Sequence, residues 1–344
     1  MAKQKVEKLG NDAILADLEK KYGMGRPSID ELTITSTGSL QLDQAMYIGG
    51  TALGKIVEVF GPESSGKSTI MLHQIAEYQK AFPNRKVSML DYEHSFDPVY
   101  AASLGVDVDS LLIYQPDNME SGYDMALGLI EKELVSCIII DSQTAAPPKA
   151  VVEGEMKDST IAMQARLNSK FCLKVKGQLS IHGVTLFFVS QTRDSIGSLS
   201  NDPTITTGGK AIKFYADIRW KLWKVANKDN EWNATTIDVI KSKVGKPFGQ
   251  AKINILWGKG FDIVGETLAY AEEFGIIIRG GSWYSYGETK IGQGLEKVKQ
   301  TMEDNPELYE EIREKVINKL KNIDHGDNQN KEERQQDTSP SESA

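Results

Sequence analysis

Apolar and polar positions along the chain change in a regular way. Between about residues 54 and 190, short apolar runs alternate with longer stretches whose apolar residues recur at helical spacing, the longest of them at about 159–181. The apolar runs are KIVEVF, KVSMLD, LLIY, SCIIID and GVTLFFVSQ. Short apolar runs that alternate with amphipathic stretches in this way predict a parallel sheet covered by helices.

The regions on either side of this block follow other patterns. Residues 10–22 carry apolar residues on one helical face, which predicts an N-terminal helix within a leading segment at 1–33. At 217–257, extended runs separated by the polar turn NKDNEW predict an antiparallel extension of the sheet. The predicted fold class is therefore α/β, with a mixed, mainly parallel sheet.

The composition changes again near residue 270. A Gly-rich aromatic stretch, GGSWYSYGETKIGQG, is followed by a charged helical segment that begins near Asn305. We therefore predict a core domain at 34–269 and a small α+β domain at 270–323. Residues 324–344 are polar, lack periodicity and carry six carboxylates, which predicts a disordered acidic tail.

Length and composition fit a soluble protein with a full core. The chain has 344 residues, 40% of them hydrophobic, but it has no apolar run long enough to cross a bilayer and no apolar N-terminal signal. We expect a cytoplasmic protein without a membrane partner. Its net charge of −8 gives no sign of a nucleic-acid surface, although an acidic tail can mask a basic groove elsewhere.

The two cysteines are expected to be core residues. Cys137 lies in the apolar run that ends at Asp141, and Cys172 lies on the apolar stripe of the long helix. Two isolated cysteines predict neither a disulfide framework nor a metal cluster. The stripe itself consists of Ile161, Ala165, Asn168, Cys172, Val175 and Leu179.

The strongest chemical signal is the segment GPESSGKS, which lies between a predicted strand and a predicted helix. This is the pattern and the context of a phosphate-binding loop, in which backbone N–H groups surround phosphate oxygens. Lys67 can reach the terminal phosphates, and the Ser68 hydroxyl can bind Mg²⁺. The expected nucleotide contacts are Gly61, Pro62, Glu63, Ser64, Ser65, Gly66, Lys67, Ser68 and Thr69.

Carboxylates at the ends of two predicted strands complete this candidate site. Asp141 ends the run SCIIID, where a buried strand would bring a carboxylate beside Mg²⁺. Hydrolysis also needs a general base, and Glu93 follows the strand KVSMLD at a point facing the same crevice. Strand spacing alone does not separate Glu93 from Asp91 in this role.

Several blocks resemble one known family in order and spacing. GPESSGKST, DYEHSFDPVYAASLGVD, IIIDS, FVSQTRDSIG and TTGGKAIKFYADIR are similar to segments of the bacterial RecA recombinase family, and GSWYSYGETKIGQG is similar to its C-terminal domain. The resemblance runs from about residue 34 to 320. It implies a DNA-dependent ATPase that forms a helical filament on single-stranded DNA, pairs it with double-stranded DNA and polymerises through segment 1–33. The short segment before the core favours a phage- or plasmid-encoded member.

The resemblance also implies roles at the nucleotide. It selects Glu93 as the base that activates water, with Mg²⁺ held by Ser68 and Asp141. Asp97 and Tyr100 match positions that bind adenine in ATP, and Gln191 matches a glutamine that senses the γ-phosphate and begins the second DNA-binding loop.

For DNA, the resemblance implies two loops, at 153–162 and 192–209. Asp194 and Ser195 depart from the family pattern, because an apolar and a basic residue usually stand there, and fewer cations predict weaker binding. The residues that match DNA-contacting positions are Ile161, Arg166, Arg193, Ile196, Gly208 and Gly209.

Four further positions match the subunit interface of the family filament. Lys241 and Lys243 match a pair that reaches the neighbouring subunit's nucleotide, where cations stabilise transition-state charge. Phe214 lies in the matching interface segment, and Trp257 matches an aromatic residue that covers the neighbour's adenine. Without the resemblance, the two lysines are typical of an exposed strand face.

Two alternative functions use the same fold. One is a regulator that binds ATP for assembly without pairing DNA strands, and the other is a hexameric helicase. Helicases of this fold lack the WYSYG module and normally carry an arginine finger, whereas this chain offers Lys241 and Lys243. These features favour a recombinase.

Overall fold

The computed structural model describes residues 16, 32–154, 161–194, 204–206, 209–225 and 232–336. Residues 1–33 and 34–344 form separate compact units. Of the predicted N-terminal helix only Ala16 is described, and it is helical; the rest lies outside the described residues. All elements named below belong to the second unit.

A short antiparallel pair opens the second unit. Strands β1 (Ile34–Thr35) and β2 (Thr51–Ala52) pair with each other, and helix α1 (Leu40–Ala45) lies between them in the chain. The Ser39 hydroxyl caps α1 by accepting the backbone N–H of Leu42.

The main sheet has a parallel centre in the order β3, β7, β6, β4, β5. The strands are β3 (Ile56–Gly61), β4 (Lys86–Asp91), β5 (Leu112–Tyr114), β6 (Val135–Asp141) and β7 (Thr185–Asp194). The helices between them are α2 (Lys67–Ala81), α3 (Pro98–Ser103), α4 (Met119–Glu131), α5 (Lys149–Glu153) and α6 (Ile161–His182). This confirms the predicted parallel sheet covered by helices, and it brings the carboxyl ends of β3, β4, β6 and β7 to one edge.

The sheet continues beyond β3, after a short strand β8 (Thr204–Thr206) that pairs antiparallel with the end of β7 and a short helix α7 (Ala211–Tyr215). Here β9 (Ile218–Val225) is parallel to β3, while β10 (Trp232–Ser242), β11 (Gln250–Leu256) and β12 (Gly260–Phe261) are antiparallel to their neighbours. The strands of the predicted extension at 217–257 are antiparallel to one another, as expected, but the first of them, β9, joins the main sheet parallel to β3. Apolar periodicity does not reveal strand direction, and β9 follows a crossover from β7 that returns it parallel to β3.

Each face of the main sheet packs against helices in its own hydrophobic cluster. One cluster joins α2 to β3 and β7 and contains Cys137, and the other joins α4 and α6 to the opposite face and contains Cys172. Both thiols are free and buried, in line with the expected core positions. Sheets covered on both faces expose only their edges, so the edge formed by the strand ends is left for chemistry.

A third hydrophobic cluster forms the C-terminal part. It is built from α8 (Ile263–Glu273), β13 (Ile277–Gly280), β14 (Trp283–Tyr286), β15 (Thr289–Gln293), α9 (Leu295–Asp304) and α10 (Pro306–Gln336). The boundary expected between 269 and 270 falls inside α8, whose buried Leu268 and Ala271 both belong to this cluster. The predicted boundary follows the change in composition, which comes only near the end of this helix.

The final helix continues into the segment for which the sequence predicts a disordered tail. Helix α10 ends at Gln336, and residues 337–344 lie outside the described residues. The prediction relied on the missing apolar periodicity, which reports packing, whereas the segment is rich in Lys, Glu, Gln and Arg, which favour a helical backbone locally. Among the helices of the described residues, none combines the length and the apolar character needed to span a bilayer.

Candidate nucleotide-binding site

The loop between β3 and α2 has the geometry of a phosphate cradle. Gly66 stands at the start of α2 with φ of 88°, and a Cβ there would lie 2.4 Å from Ile255 Cδ1. A Cβ on Gly61 would lie 2.7 Å from the carbonyl oxygen of Leu222. Glycine is therefore required at both ends of the loop, and the N–H groups of the first turn of α2 are available for an anion.

Lys67 lies folded over this loop. Its ammonium donates to the carbonyl oxygens of Gly61 (3.1 Å) and Pro62 (2.6 Å), and the Ser65 hydroxyl donates to the same Pro62 oxygen (2.8 Å). Burial lowers the pKa of Lys67, while the nearby carboxylates of Asp141 and Glu93 oppose that effect. A phosphate in the loop would offer the ammonium stronger, charged acceptors than these carbonyls.

Ser68 and Asp141 form the candidate Mg²⁺ site. The Ser68 hydroxyl donates to Asp141 Oδ2 over 3.0 Å, so α2 and the end of β6 meet at these two oxygens. Oxygen donors of this kind fit Mg²⁺, which binds few protein ligands and completes its shell with phosphate and water. Burial, followed by the charge of Glu93, raises the pKa of Asp141 to about 6. A divalent cation would reverse that effect and displace the proton.

The structure separates Glu93 from Asp91, which the sequence left equivalent. Asp91 is fully buried and accepts the backbone N–H groups of Ser95 and Phe96 and the amide of Gln115, so it organises the turn after β4. Glu93 lines the same pocket as Lys67. Of these two carboxylates, Glu93 is the one that lies where a water molecule beside a bound phosphate could reach it.

Gln191 links the Glu93 carboxylate to the end of β7. Its side-chain amide donates to Glu93 Oε1 over 3.0 Å, and its backbone N–H donates to the Thr144 hydroxyl over 3.2 Å. The Ser142 hydroxyl donates to the same Glu93 oxygen. Gln191 thus contacts the predicted base with its side chain while its backbone continues toward Arg193 and the predicted second DNA loop.

A pocket of about 860 Å³ extends from the phosphate loop past α3. Asp97 and Tyr100 line the part of the pocket next to α3, and the Tyr100 hydroxyl is 3.2 Å from the Thr69 hydroxyl. Asp97 also caps α3 by accepting the N–H groups of Val99 and Tyr100. The pocket therefore has a charged end at the loop and a partly aromatic end, as a nucleotide requires.

Trp257 also lines this pocket, with 61% of its surface exposed. The resemblance places it over the adenine of a neighbouring subunit, but the structure puts it beside the phosphate loop of its own chain. The reason is the position of β11, whose Ile255 lies against Gly66. The predicted contact of Trp257 with the adenine of a neighbouring subunit stays a prediction.

Residues from β10 reach the pocket although the sequence did not single them out. Asn233 and Thr235 line it, and the Thr235 hydroxyl donates to the carbonyl oxygen of Ser65 over 3.1 Å. Their only sequence signal is a two-residue spacing that places both on one face of a strand. Ser142, which contacts Glu93, had no signal beyond its position after Asp141.

The lysine pair Lys241 and Lys243 lies elsewhere, and neither is among the described residues that line the pocket. Lys241 Nζ donates to the carbonyl oxygens of Lys213 (3.0 Å) and Phe214 (3.2 Å) at the end of α7. Burial, and then the charge of Lys243, lowers the pKa of Lys241. Lys243 follows β10 directly and lies 3.6 Å from a carboxylate oxygen of Asp217. The Phe214 side chain is exposed.

The predicted DNA-contacting residues are described only in part. Arg166 is exposed near the start of α6, and a Cβ on Gly209 would lie 2.7 Å from the Cβ of Ala165 in the preceding position. The structure gives the backbone of Ile161 and Arg193 at the ends of α6 and β7, while Ile196 and Gly208 lie outside the described residues. The last residue of the predicted second loop thus lies against α6, next to Arg166 in the chain.

Fold and site together define a phosphate-loop nucleotide-binding protein with a mixed sheet and a separate C-terminal cluster. The family model for the RecA N-terminal domain matches residues 5–262, and the model for the RecA C-terminal domain matches residues 265–321. The chain belongs to the bacterial RecA family.

Individual relatives agree with these family models. The chain is 42% identical over 327 residues to Protein RecA of Porphyromonas gingivalis, covering 94% of each chain. It is 42% identical to Protein RecA of Chlorobaculum tepidum, over 88% of this chain and 90% of the relative. For Protein RecA of Bacteroides thetaiotaomicron the identity is 43%, over 87% of this chain and 93% of the relative. The similarity therefore extends through both predicted domains.

Proposed function

We propose that the protein is a DNA-dependent ATPase that forms a helical filament on single-stranded DNA and catalyses homologous pairing and strand exchange in recombination and repair. The observation that carries this proposal is the contact between Gln191 and Glu93. It connects the nucleotide pocket directly to the end of β7, where the predicted second DNA loop begins. A bound nucleotide and a bound DNA strand would each change the surroundings of one end of this link.

Different pocket residues have different roles in ATP hydrolysis. Lys67 and the N–H groups of α2 bind the phosphates and neutralise charge that develops on the transferred group. Ser68 and Asp141 would hold Mg²⁺, which supplies further positive charge at the phosphate oxygens. Glu93 takes a proton from a water molecule as the water oxygen attacks the terminal phosphorus and the bond to the leaving ADP oxygen breaks.

Base recognition falls to the other end of the pocket. Tyr100 and Trp257 offer aromatic surface for stacking on adenine. Asp97 offers a carboxylate that can accept the exocyclic amine of adenine, although it already accepts two backbone N–H groups of α3. This wall would therefore fix the base by stacking and one polar contact.

We assign DNA binding to the two predicted loops, at 153–162 and 192–209. We assign phosphate contacts to Arg166, Arg193 and the backbone at Gly208 and Gly209, because arginine and backbone N–H groups bind phosphates without reading sequence. Ile161 and Ile196 are assigned to separating bases. Such contacts suit a protein that must accept any single-stranded sequence.

Assembly would complete the catalytic site. In its own chain the lysine pair contacts the segment 213–217 and not the pocket. We assign Lys241 and Lys243 to the nucleotide of an adjacent subunit, Phe214 to the interface, and the segment 1–33 to polymerisation. Hydrolysis would then depend on filament formation, and therefore on DNA.

The test is ATP hydrolysis by the purified chain with and without single-stranded DNA, together with strand exchange between homologous duplex and single strand. We expect stimulation by DNA and an exchanged product that requires ATP. Nucleotide binding without stimulation by DNA and without exchange would replace this proposal with that of an ATP-binding accessory protein.

A further inference from the structure

A buried carboxylate lies directly beneath the lysine pair. The Asp217 side chain, between α7 and β9, is only 6% exposed. Its Oδ2 accepts the backbone N–H of Ile56 over 3.0 Å and also the ammonium of Lys176. Its Oδ1 lies 3.6 Å from Lys243 Nζ. Lys176 and Lys243 therefore contact different oxygens of the Asp217 carboxylate.

Lys176 and Lys243 differ in how much of the side chain is exposed to solvent. Lys176 projects from α6 and is 32% exposed, whereas Lys243 follows the last residue of β10 and is 50% exposed. A buried carboxylate is costly without a counter-charge. Lys176 and the Ile56 N–H satisfy that need at Oδ2, so Lys243 can leave Oδ1 without stranding the charge.

The backbone keeps Lys243 in place even when its side chain moves. Its N–H donates to the carbonyl oxygen of Asp217 over 2.9 Å, and the Asp217 N–H donates to the carbonyl oxygen of Ile56 over 2.8 Å. Asp217 is thus tied by its main chain to both β3 and the start of the lysine's segment. The ammonium of Lys243 can pivot about a fixed point.

We propose that Asp217 is a positioning residue for Lys243: it holds the ammonium at the subunit surface before assembly and remains neutralised by Lys176 when Lys243 moves to the neighbouring subunit's nucleotide. This rests on the proposed function, because it takes Lys243 to act in trans. Asp217 is not among the described residues that line the nucleotide pocket.

The position of Asp217 also suits a response to DNA. Lys241 contacts the carbonyl oxygens of Lys213 and Phe214, so both lysines of the pair rest on the same short segment, 213–217. That segment follows the predicted second DNA loop after only a few residues. Lys176 lies on α6, which follows the predicted first loop. DNA bound at either predicted loop would shift the support of the lysine pair.

The test begins with Asp217→Asn, which removes the charge but keeps an oxygen that can accept the Ile56 N–H. We expect kcat for DNA-stimulated hydrolysis to fall about 10-fold while KM for ATP changes little, since misplacing a catalytic group by about 1 Å costs up to about 10²-fold. Asp238→Asn is the matched control, because Asp238 lies on β10 and contacts Trp223 and Gln250 but neither lysine. Its kcat should match that of the wild type.

A mixing experiment shows on which side of the interface Asp217 acts. Glu93→Gln subunits lack the base but carry intact lysines, so they should restore hydrolysis at the nucleotide of an adjacent Asp217→Asn subunit. We expect the mixture to exceed the average of its two parents. A purely structural defect, or an effect of Asp217 on its own phosphate loop through Ile56, would leave the mixture at that average, and the proposal would be wrong.

Two further outcomes are distinguishable. If Asp217→Asn fails to fold because Lys176 is left unpaired, the double variant Lys176→Met with Asp217→Asn removes that charge too and supplies the same test. If the variant folds and its kcat is unchanged, the proposed role of Asp217 is wrong, but the proposed function of the protein is not affected. If wild-type hydrolysis does not respond to DNA, the proposed function fails before any variant is made.

Discussion

At the residue scale, Lys67 is a side chain whose removal should impair ATP hydrolysis without unfolding the protein. Among the described residues its ammonium donates hydrogen bonds to the carbonyl oxygens of Gly61 and Pro62, and its stem lies at the start of α2 rather than in a hydrophobic cluster. Pro62 is exposed, so water can replace the lysine there. The fold should therefore tolerate its removal.

We predict that Lys67→Ala lowers ATP hydrolysis by about 10²–10³-fold or more, as loss of one preorganised charge contact at a reacting group does. The thermal unfolding midpoint should stay near that of the wild type. Lys80→Ala is the control, because Lys80 lies on the same helix with a side chain 64% exposed and pairs only with Glu77 in a surface contact. Normal hydrolysis by Lys67→Ala would contradict the phosphate-loop assignment.

Glu93 and Asp91 should respond oppositely to the same change. Glu93→Gln is expected to keep ATP and DNA binding but to hydrolyse about 10²–10⁴-fold more slowly, because the shape remains and the base is lost. Asp91→Asn should lower the unfolding midpoint instead, because Asp91 accepts two backbone N–H groups in the turn after β4. If the rate of Glu93→Gln is unchanged, the base lies elsewhere.

The residues of the phosphate-binding loop could be predicted from the sequence because they are neighbours in the chain. Those from Gly61 to Thr69 are contiguous, so their spacing alone defines the cradle. Asn233 and Thr235 enter the pocket only because β10 packs two strands away from β3, and Trp257 enters through β11. Such long-range neighbours depend on strand order and register, which no local pattern contains.

At the scale of elements, the contact between α1 and α8 joins the core to the C-terminal cluster. The Ser39 hydroxyl, which caps α1, also donates to both carboxylate oxygens of Glu266 on α8, at 2.9 and 3.0 Å. Burial raises the pKa of Glu266 to about 7, against weaker lowering by Ser39 and by the backbone of Leu40 and Gln41. Burial also raises the pKa of nearby Asp43 to about 6.

We predict that burial of Glu266 destabilises the fold as pH rises. Because the pKa of Glu266 is raised from 4.5 to about 7 on folding, the folded chain holds a proton that the unfolded chain has lost. The free energy of unfolding should therefore fall between pH 4.5 and 7, by on the order of 3 kcal/mol for this group. Denaturant unfolding at several pH values measures it.

Glu266→Gln should flatten this dependence, because an amide stays neutral throughout, and a residual slope from Asp43 and Asp141 should remain. Glu296→Gln is the control, since that carboxylate lies on α9 and its side chain is 89% exposed. A slope that is the same in Glu266→Gln as in the wild type would show that Glu266 does not keep its proton on folding.

Elements also show what periodicity can and cannot predict. The parallel centre was predictable because each strand and helix carries its own apolar pattern. The direction of β9 was not, because it depends on the crossover that precedes it. Helix α10 extends past the predicted start of the tail because helix propensity is local, whereas the prediction of disorder used the absence of a packing face.

At the scale of the whole molecule, the nucleotide pocket and the lysine pair form two halves of one proposed site. Glu93, Lys67 and Asp141 line the pocket, while Lys241 and Lys243 rest on the segment 213–217 of the same chain. We propose that a second copy brings Lys241 and Lys243 to the open side of the pocket. Hydrolysis would then report assembly as well as ATP binding.

We predict that Lys241→Ala with Lys243→Ala leaves ATP binding by the dispersed chain nearly intact. DNA-stimulated hydrolysis should fall by about 10³–10⁵-fold, the range seen where a partner supplies the charge at a transferring phosphate. Lys252→Ala is the control, because Lys252 is exposed on the adjacent strand β11. Nucleotide binding and hydrolysis on single-stranded DNA are measured on the same preparations.

Complementation makes the geometry of this prediction explicit. The double-lysine variant keeps Glu93, and the Glu93→Gln variant keeps both lysines, so each parent lacks one half of every site it forms alone. In a mixed filament, some interfaces place an intact base opposite intact lysines, and DNA-stimulated hydrolysis should return there. Its return would mean that the two groups meet across a subunit boundary. If the double-lysine variant alone hydrolyses ATP at the wild-type rate on DNA, Lys241 and Lys243 are ordinary surface residues, and the proposed trans-acting site does not exist.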